Sequence, residues 1–234
     1  VRTIITLSRF AVSKKEVDAA EDCENIAAKT VRFKDAFLLL GDNLSKLLSI
    51  LTAQNILAED IIQMSKKDLE YAKENADYSI IIMHWGDAYS TKPNKEQQNI
   101  AKFLVENGAD MILGNHASAV QKMEVMQSPE GKNVLVAYSL GNYISGETMD
   151  ISKIELVLNI ELRKSGETGE VVLSKVDYTP IYVLDRGTKA ENRYELIDMK
   201  GTAKAYAEGN KKIVNKETYN KLVEGLKKLE GIIK

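Results

Sequence analysis

Two histidines are all the imidazole that this 234-residue chain carries, and each closes an apolar run. His84 ends Ile80-Ile81-Ile82-Met83 and precedes Trp85-Gly86; His116 ends Met111-Ile112-Leu113-Gly114-Asn115. An amphipathic helix pattern lies between the two runs. Strand, helix, strand is a βαβ unit, whose strands run parallel and end on the same side of the sheet. Open α/β sheets build their ligand sites at those carboxyl ends. Both imidazoles are therefore predicted to face one crevice. Their rings should lie within about 10 Å, since neighbouring strands sit about 4.8 Å apart. Paired neutral imidazoles can hold a divalent metal or move protons. The alternative is that each histidine is an ordinary strand-end residue bonded to nearby backbone. Trp85, Asp87, Asn115, Ser118 and Asn142 are the candidate lining residues, and His84 and His116 the candidate catalytic and metal-binding ones.

Other chemistries find less support. Ser139 with His84 and an aspartate could be imagined as a triad, but no Gly-x-Ser-x-Gly elbow surrounds it. Nothing beside Cys23 would lower a thiol pKa. No Walker loop or Gly-x-Gly-x-x-Gly occurs, and Gly41-Asp42-Asn43 is a turn signal before it is a ligand. The residues are 44% hydrophobic, enough for a sizeable core, and the 28% that are charged are mixed in sign. A net charge of −2 with no basic stripe offers nucleic acid no footprint. A single cysteine rules out an intrachain disulfide. No apolar run approaches the roughly 18–20 residues of a membrane helix. Val1-Arg2-Thr3 does not open a signal peptide, and the missing initial Met predicts a processed chain or part of a longer product.

The elements that must position the histidines follow from periodicity. Residues 1–30 carry a weak helical pattern around Val17, Ala20 and Cys23. Val31–Lys34 alternates like a strand, Phe37–Leu40 is a short buried run, and 44–58 suits a helix or an ordered excursion. A helix is predicted over Ser65–Asn75, with Leu69, Tyr71 and Ala72 apolar, and then a strand over 78–83. The next helix opens at Pro93 with Thr91 as its cap. It buries Ile100, Ala101, Phe103, Leu104 and Val105, and stops at Gly108. After strand 110–113 the connections change from helices to hairpins: 122–127 with 133–138, and 154–162 with 170–178. Short strands at Ile181–Leu184 and Tyr194–Ile197 precede a helical tail over 202–209 and 216–231. The change at residue 116 predicts an α/β fold in which antiparallel strands extend a parallel core into a mixed sheet or a sandwich. The domain reading is one domain over 1–200 and a helical tail over 201–234.

The stretch 76–145 resembles a known family. Its residues are His84-Trp85-Gly86 with Tyr89, then Pro93, Gln97 and Gln98. Next come Ala109-Asp110 and Gly114 with His116 and Gln121, and finally Tyr138-Ser139-Leu140-Gly141-Asn142-Tyr143. Order and spacing are similar to those of the CapA family of capsule-synthesis proteins, named for poly-γ-glutamate capsule production. Weaker likeness extends over 24–43 and over 154–184, where Asp177-Tyr178-Thr179-Pro180 stands. The resemblance implies a four-layer sandwich of the calcineurin-like metallophosphoesterase type. It also implies a role in cell-surface polymer synthesis with a membrane-associated capsule complex as partner, and an extracytoplasmic location.

The departures bear on chemistry. The family's early Gly-Asp, Asn-x-Glu and Ala-Asn-Asn-His segments, which supply metal ligands, do not occur upstream of residue 24. The expectation is a chain that starts after them, with N-terminal strands missing or supplied elsewhere. That would leave an exposed sheet edge able to pair with a second copy. The family's Glu after His-Trp-Gly is Ala88 here, and the second His of its His-Pro-His is Ser118. A two-metal hydrolase site needs roughly five to seven protein ligands around ions about 3.5–4 Å apart. Two histidines with Asp87, Asn115, Ser118 and Asn142 predict low occupancy by a transition ion such as Mn²⁺ or Zn²⁺. Two functions stay open: a CapA-like protein of capsule biosynthesis with an incomplete metal site, or an active metal-dependent phosphoesterase if a longer parent or a partner supplies the absent motifs.

Overall fold

The computed structural model describes residues 4–6, 37–40, 58–143, 146, 149–188, 190–191 and 193–233. Cys23, the Val31–Lys34 pattern, the Gly41-Asp42-Asn43 turn and nearly all of the 44–58 segment lie outside these residues.

A parallel βαβ unit forms the centre. Strand β3 (Tyr78–Trp85), helix α2 (Lys95–Glu106) and strand β4 (Met111–His116) follow in order. β3 and β4 pair in parallel from Ile80 opposite Met111 to Trp85 opposite His116. The five-stranded sheet runs β2 (Phe37–Leu40), β3, β4, β6 (Asn133–Ala137), β5 (Met123–Gln127), with only β5 antiparallel. The apolar run of β3 is continuous rather than alternating because both of its faces are covered, as central parallel strands require.

On one face of this sheet, Ile81, Met83, Trp85, Ile112, Val134, Val136 and Tyr138 pack against Leu69 of helix α1 (Ala58–Asn75) and against Ala101, Leu104 and Val105 of α2. On the other face, Ile80, Met111, Leu113, Leu135 and Ala137 meet Leu158, Ile160 and Leu162 of a second sheet. That antiparallel sheet runs β1 (Ile4–Thr6), β7 (Ile154–Lys164), β8 (Val171–Asp185), β9 (Tyr194–Asp198). Helices α3 (Met199–Ala207) and α4 (Lys216–Ile233) close the end of the inter-sheet core, where Leu222 and Leu229 meet Leu156, Tyr182 and Ile197. The fold is thus α/β, a mixed sheet packed on an antiparallel one.

Several boundaries differ from the sequence reading. The helix expected from Ser65 starts at Ala58. Its Tyr71 is 54% exposed, so the buried stripe is Leu69 and Ala72 alone of the three. Helix α2 is capped by Asn94, not Thr91: Asn94 Oδ1 accepts from Gln97 N at 2.9 Å, and Gln97 Oε1 accepts from Asn94 N at 3.0 Å. This reciprocal capping box outcompetes a lone threonine further upstream. Ile181–Leu184 is not a separate strand but the end of β8, which passes through Pro180. β9 pairs only from Ile181 onward, so Pro180 stands at the end of that ladder, where a missing N–H is tolerated. Ile4–Thr6 is a strand paired with β7, not helix.

Candidate functional site

His84 and His116 meet at the carboxyl edge of the five-stranded sheet, with ring centroids 4.4 Å apart and planes tilted by 52°. Alternation alone would not bring them together. His84 shares the face of Ile80, toward the second sheet, while Ile81, Met83 and Trp85 face the helices. On β4, Met111 and Leu113 face the second sheet and Ile112 the helices. Strict alternation therefore sends residue 116 to the helix side, opposite His84. The backbone of His116 breaks the pattern with φ +96°, and the ring turns to its partner. Both histidines are exposed.

Three non-glycine residues among those described have positive φ: Tyr89 at 62°, His116 at 96° and Ser118 at 51°. Tyr89 and Ser118 lie in the loops that follow β3 and β4, and His116 is the last residue of β4. Left-handed backbone costs an L-residue about 1–2 kcal/mol, and persists where surrounding structure imposes it. Here the loops are tied to each other. Tyr89 N donates to Ala117 O at 2.6 Å. Gln121 Nε2 donates to Ser90 O at 3.1 Å and to Lys92 O at 3.2 Å, and Gln97 Nε2 donates to Gln121 Oε1 at 2.9 Å.

The other expected residues take distinct places. The Asp87 carboxylate accepts from Asn94 Nδ2 at 3.0 Å at the mouth of its loop. Asn115 Oδ1 accepts the N–H of His116 at 2.9 Å, supporting the turn in the chain there. Ser118 Oγ donates to His116 O at 3.4 Å. Asn142 follows Gly141 (φ +103°) in the loop after β6, on the same edge because β6 is parallel to β4. Trp85 is a correction: it does not line the crevice. Trp85 is 7% exposed on the helix side; its indole stacks on Tyr138 with centroids 5.7 Å apart and donates from Nε1 to Tyr138 O at 2.9 Å. It faces away because it neighbours His84 in a strand.

Gly114 makes that reach possible. A Cβ there would collide with Tyr138 O and Trp85 Nε1. Trp85 thus crosses β4 and joins the ends of β3 and β6. Tyr138 in turn donates from Oη to Glu124 Oε1 at 2.7 Å. Burial, then this hydrogen bond, pushes the Tyr138 hydroxyl well above the ordinary tyrosine range. Burial alone would raise the Glu124 carboxyl, but hydrogen bonds from Lys122 and Tyr138 and the Lys122 charge hold it below the usual value.

Among the described residues, no group of three or more His, Cys, Asp or Glu side chains is placed to hold a metal ion. The two imidazoles supply half of a tetrahedral shell. The donors among the described residues therefore fall short of a resident metal centre. Gln97, Gln121 and Gly114 belong to the residues that carry the family resemblance, but their positioning roles emerge only in the fold. The Asn94-x-x-Gln97 capping signature is a usable signal for Gln97; Gln121 stands in the sequence only as a residue of the family resemblance, and nothing local marks it as buried or as bonded to the loop after β3.

Residues 13–147 match the family model of the bacterial capsule synthesis protein PGA_cap. The chain is 31% identical over 106 residues to the capsule biosynthesis protein CapA of Bacillus anthracis, covering 45% of this chain and 25% of that protein. It is 29% identical over 106 residues to the PGA biosynthesis protein CapA of Bacillus subtilis strain 168, covering 45% and 26%. The match thus spans about a quarter of the length of these curated relatives. The matched residues 13–147 make up more than half of the chain and carry both histidine loops and the Tyr138–Asn142 turn, and the chain belongs to the PGA_cap family of bacterial capsule synthesis proteins.

Proposed function

We propose that this chain acts in the synthesis of a bacterial cell-surface polymer, a poly-γ-glutamate capsule, as a CapA-like component whose working site is the His84–His116 niche. The observation that carries the reading is the paired rings, 4.4 Å apart, at strand ends lying within the family match. By kinship with capsule proteins, the chain works outside the cytoplasm beside a membrane-bound capsule complex. No helix among the described residues is long and apolar enough to cross a membrane. An independently active phosphoesterase is less favoured, because two imidazoles with Ala88 and Ser118 beside them hold a water-activating ion poorly. The niche takes a transition ion such as Mn²⁺ or Zn²⁺ weakly and at low occupancy.

The test is deletion of the gene in its native host, with surface poly-γ-glutamate measured chemically. Deletion should remove the polymer, the intact gene should restore it, and the His84→Ala/His116→Ala double variant should not. Unchanged polymer after deletion would refute the assignment. Calorimetric titration with Mn²⁺ and Zn²⁺ separates the metal question: each single alanine variant should lose whatever binding the parent shows. Equal binding by all three proteins would take the histidines out of any metal site.

A further inference from the structure

We propose that Gln121 is the positioning residue of the niche, clamping the three loops that follow β3, β4 and β6 and thereby holding the two imidazoles together. Gln121 is completely buried. A buried carboxamide is costly unless its donors and acceptor find partners, and here they find them in other loops. Both Nε2 protons go to the loop after β3, at Ser90 O (3.1 Å) and Lys92 O (3.2 Å). Oε1 accepts from Gln97 Nε2 (2.9 Å), itself 1% exposed and locked in the cap of α2. The backbone N of Gln121 donates to Ser139 O (3.0 Å), in the loop after β6. Gln121 itself ends the loop after β4, which starts from His116 and carries Ser118. One residue thus joins all three strand-end loops, alongside the Tyr89–Ala117 tie. An apolar residue of the same volume could fill the space but could not set the relative heights of the loops.

The inference rests on the niche being the working site, but its test needs no metal, so failed metal binding would count against that reading alone. The chain has two histidines, so the imidazole region of a labelled NMR spectrum holds two ring systems. In the parent protein their protons should show a mutual Overhauser cross-peak. Gln121→Met keeps the volume and removes every side-chain bond. The cross-peak should vanish and both ring signals shift, while core signals of the five-stranded sheet persist. Gln97→Met removes one of the three side-chain bonds of Gln121, together with the bond that Gln97 Oε1 accepts from Asn94 N in the cap of α2, and should weaken the cross-peak partially. An unchanged cross-peak with unmoved ring signals in Gln121→Met overturns the clamp. Should that variant fail to fold, Gln97→Met is read the same way. The parent's own Gln121 carboxamide protons then decide alongside it: slow exchange with solvent supports the clamp, and fast exchange overturns it.

Discussion

A histidine that should point away from its partner points toward it, and the left-handed backbone at His116 is the cause. The sequence shows both histidines at the ends of neighbouring strands, and the register agrees, with His84 opposite Asn115 and Trp85 opposite His116. What the sequence does not show is the side of the sheet on which each ring falls, because period-2 reasoning assumes extended backbone up to the last residue. The φ of +96° at His116 is imposed by loops whose ties are long-range and leave no local signature. It should have a measurable energetic trace. Alanine at 116 keeps the Cβ that clashes in left-handed backbone, whereas glycine does not. His116→Gly is therefore expected to be more stable than His116→Ala by about 1 kcal/mol, read from chemical denaturation. The usual order, alanine above glycine, would mean that residue 116 carries no strain in solution. Both variants should lose the metal binding of the parent, which keeps strain and ligation separate.

Among the elements, the parallel core and the hairpins were legible because their signals are local: apolar runs of strand length, a stripe at helical spacing, turn residues between. Helix α1 begins seven residues before the stretch its periodicity marks, and α2 takes Asn94 rather than Thr91 as its cap because the capping box with Gln97 competes better. Pro180 reads in the sequence as a break between two strands, yet β8 runs through it because the ladder with β9 starts only at Ile181. The crossing of Trp85 over Gly114 was illegible, because it joins residues 53 apart, Trp85 and Tyr138. It carries a specific prediction. Gly114→Ala places a methyl against the Tyr138 carbonyl and the Trp85 indole nitrogen, and overpacking of this kind costs about 1–3 kcal/mol. Trp85 is the one tryptophan of the chain, so its fluorescence reports the site directly. The variant should lose stability and shift its emission to the red as the indole is displaced. Gly108→Ala is the control. There a Cβ meets nothing within 4 Å, but φ is +100°, so stability should fall modestly with the emission unmoved. A Gly114→Ala protein with parental emission would show that the indole does not cross there.

At the scale of the molecule, the question is whether the sheets and the C-terminal helices form one cooperative unit. The sequence suggested a boundary at residue 200, where hairpins give way to helices. α3 starts at Met199, with Asp198 at the end of β9 as its N-cap. Its core is shared: Leu222 and Leu229 of α4 pack with Val120, Leu156, Tyr182 and Ile197, so the tail rests on β7, β8, β9 and the loop that carries Ser118. Met123, Leu140 and Tyr178 border both this cluster and the inter-sheet core, which makes the two continuous. Continuity of buried contacts couples the unfolding of the two clusters. Leu222 is fully buried, and truncating such a leucine to alanine costs about 2–5 kcal/mol through lost transfer energy and the cavity left behind. Trp85, in the helix-side core, supplies a probe on the opposite face of the five-stranded sheet. In the Leu222→Ala variant, the tryptophan fluorescence transition and the far-ultraviolet circular dichroism transition should move down together and stay coincident. An early loss of helical signal with the Trp85 transition unmoved would mean that α3 and α4 form a separate unit, and the boundary at residue 200 would stand.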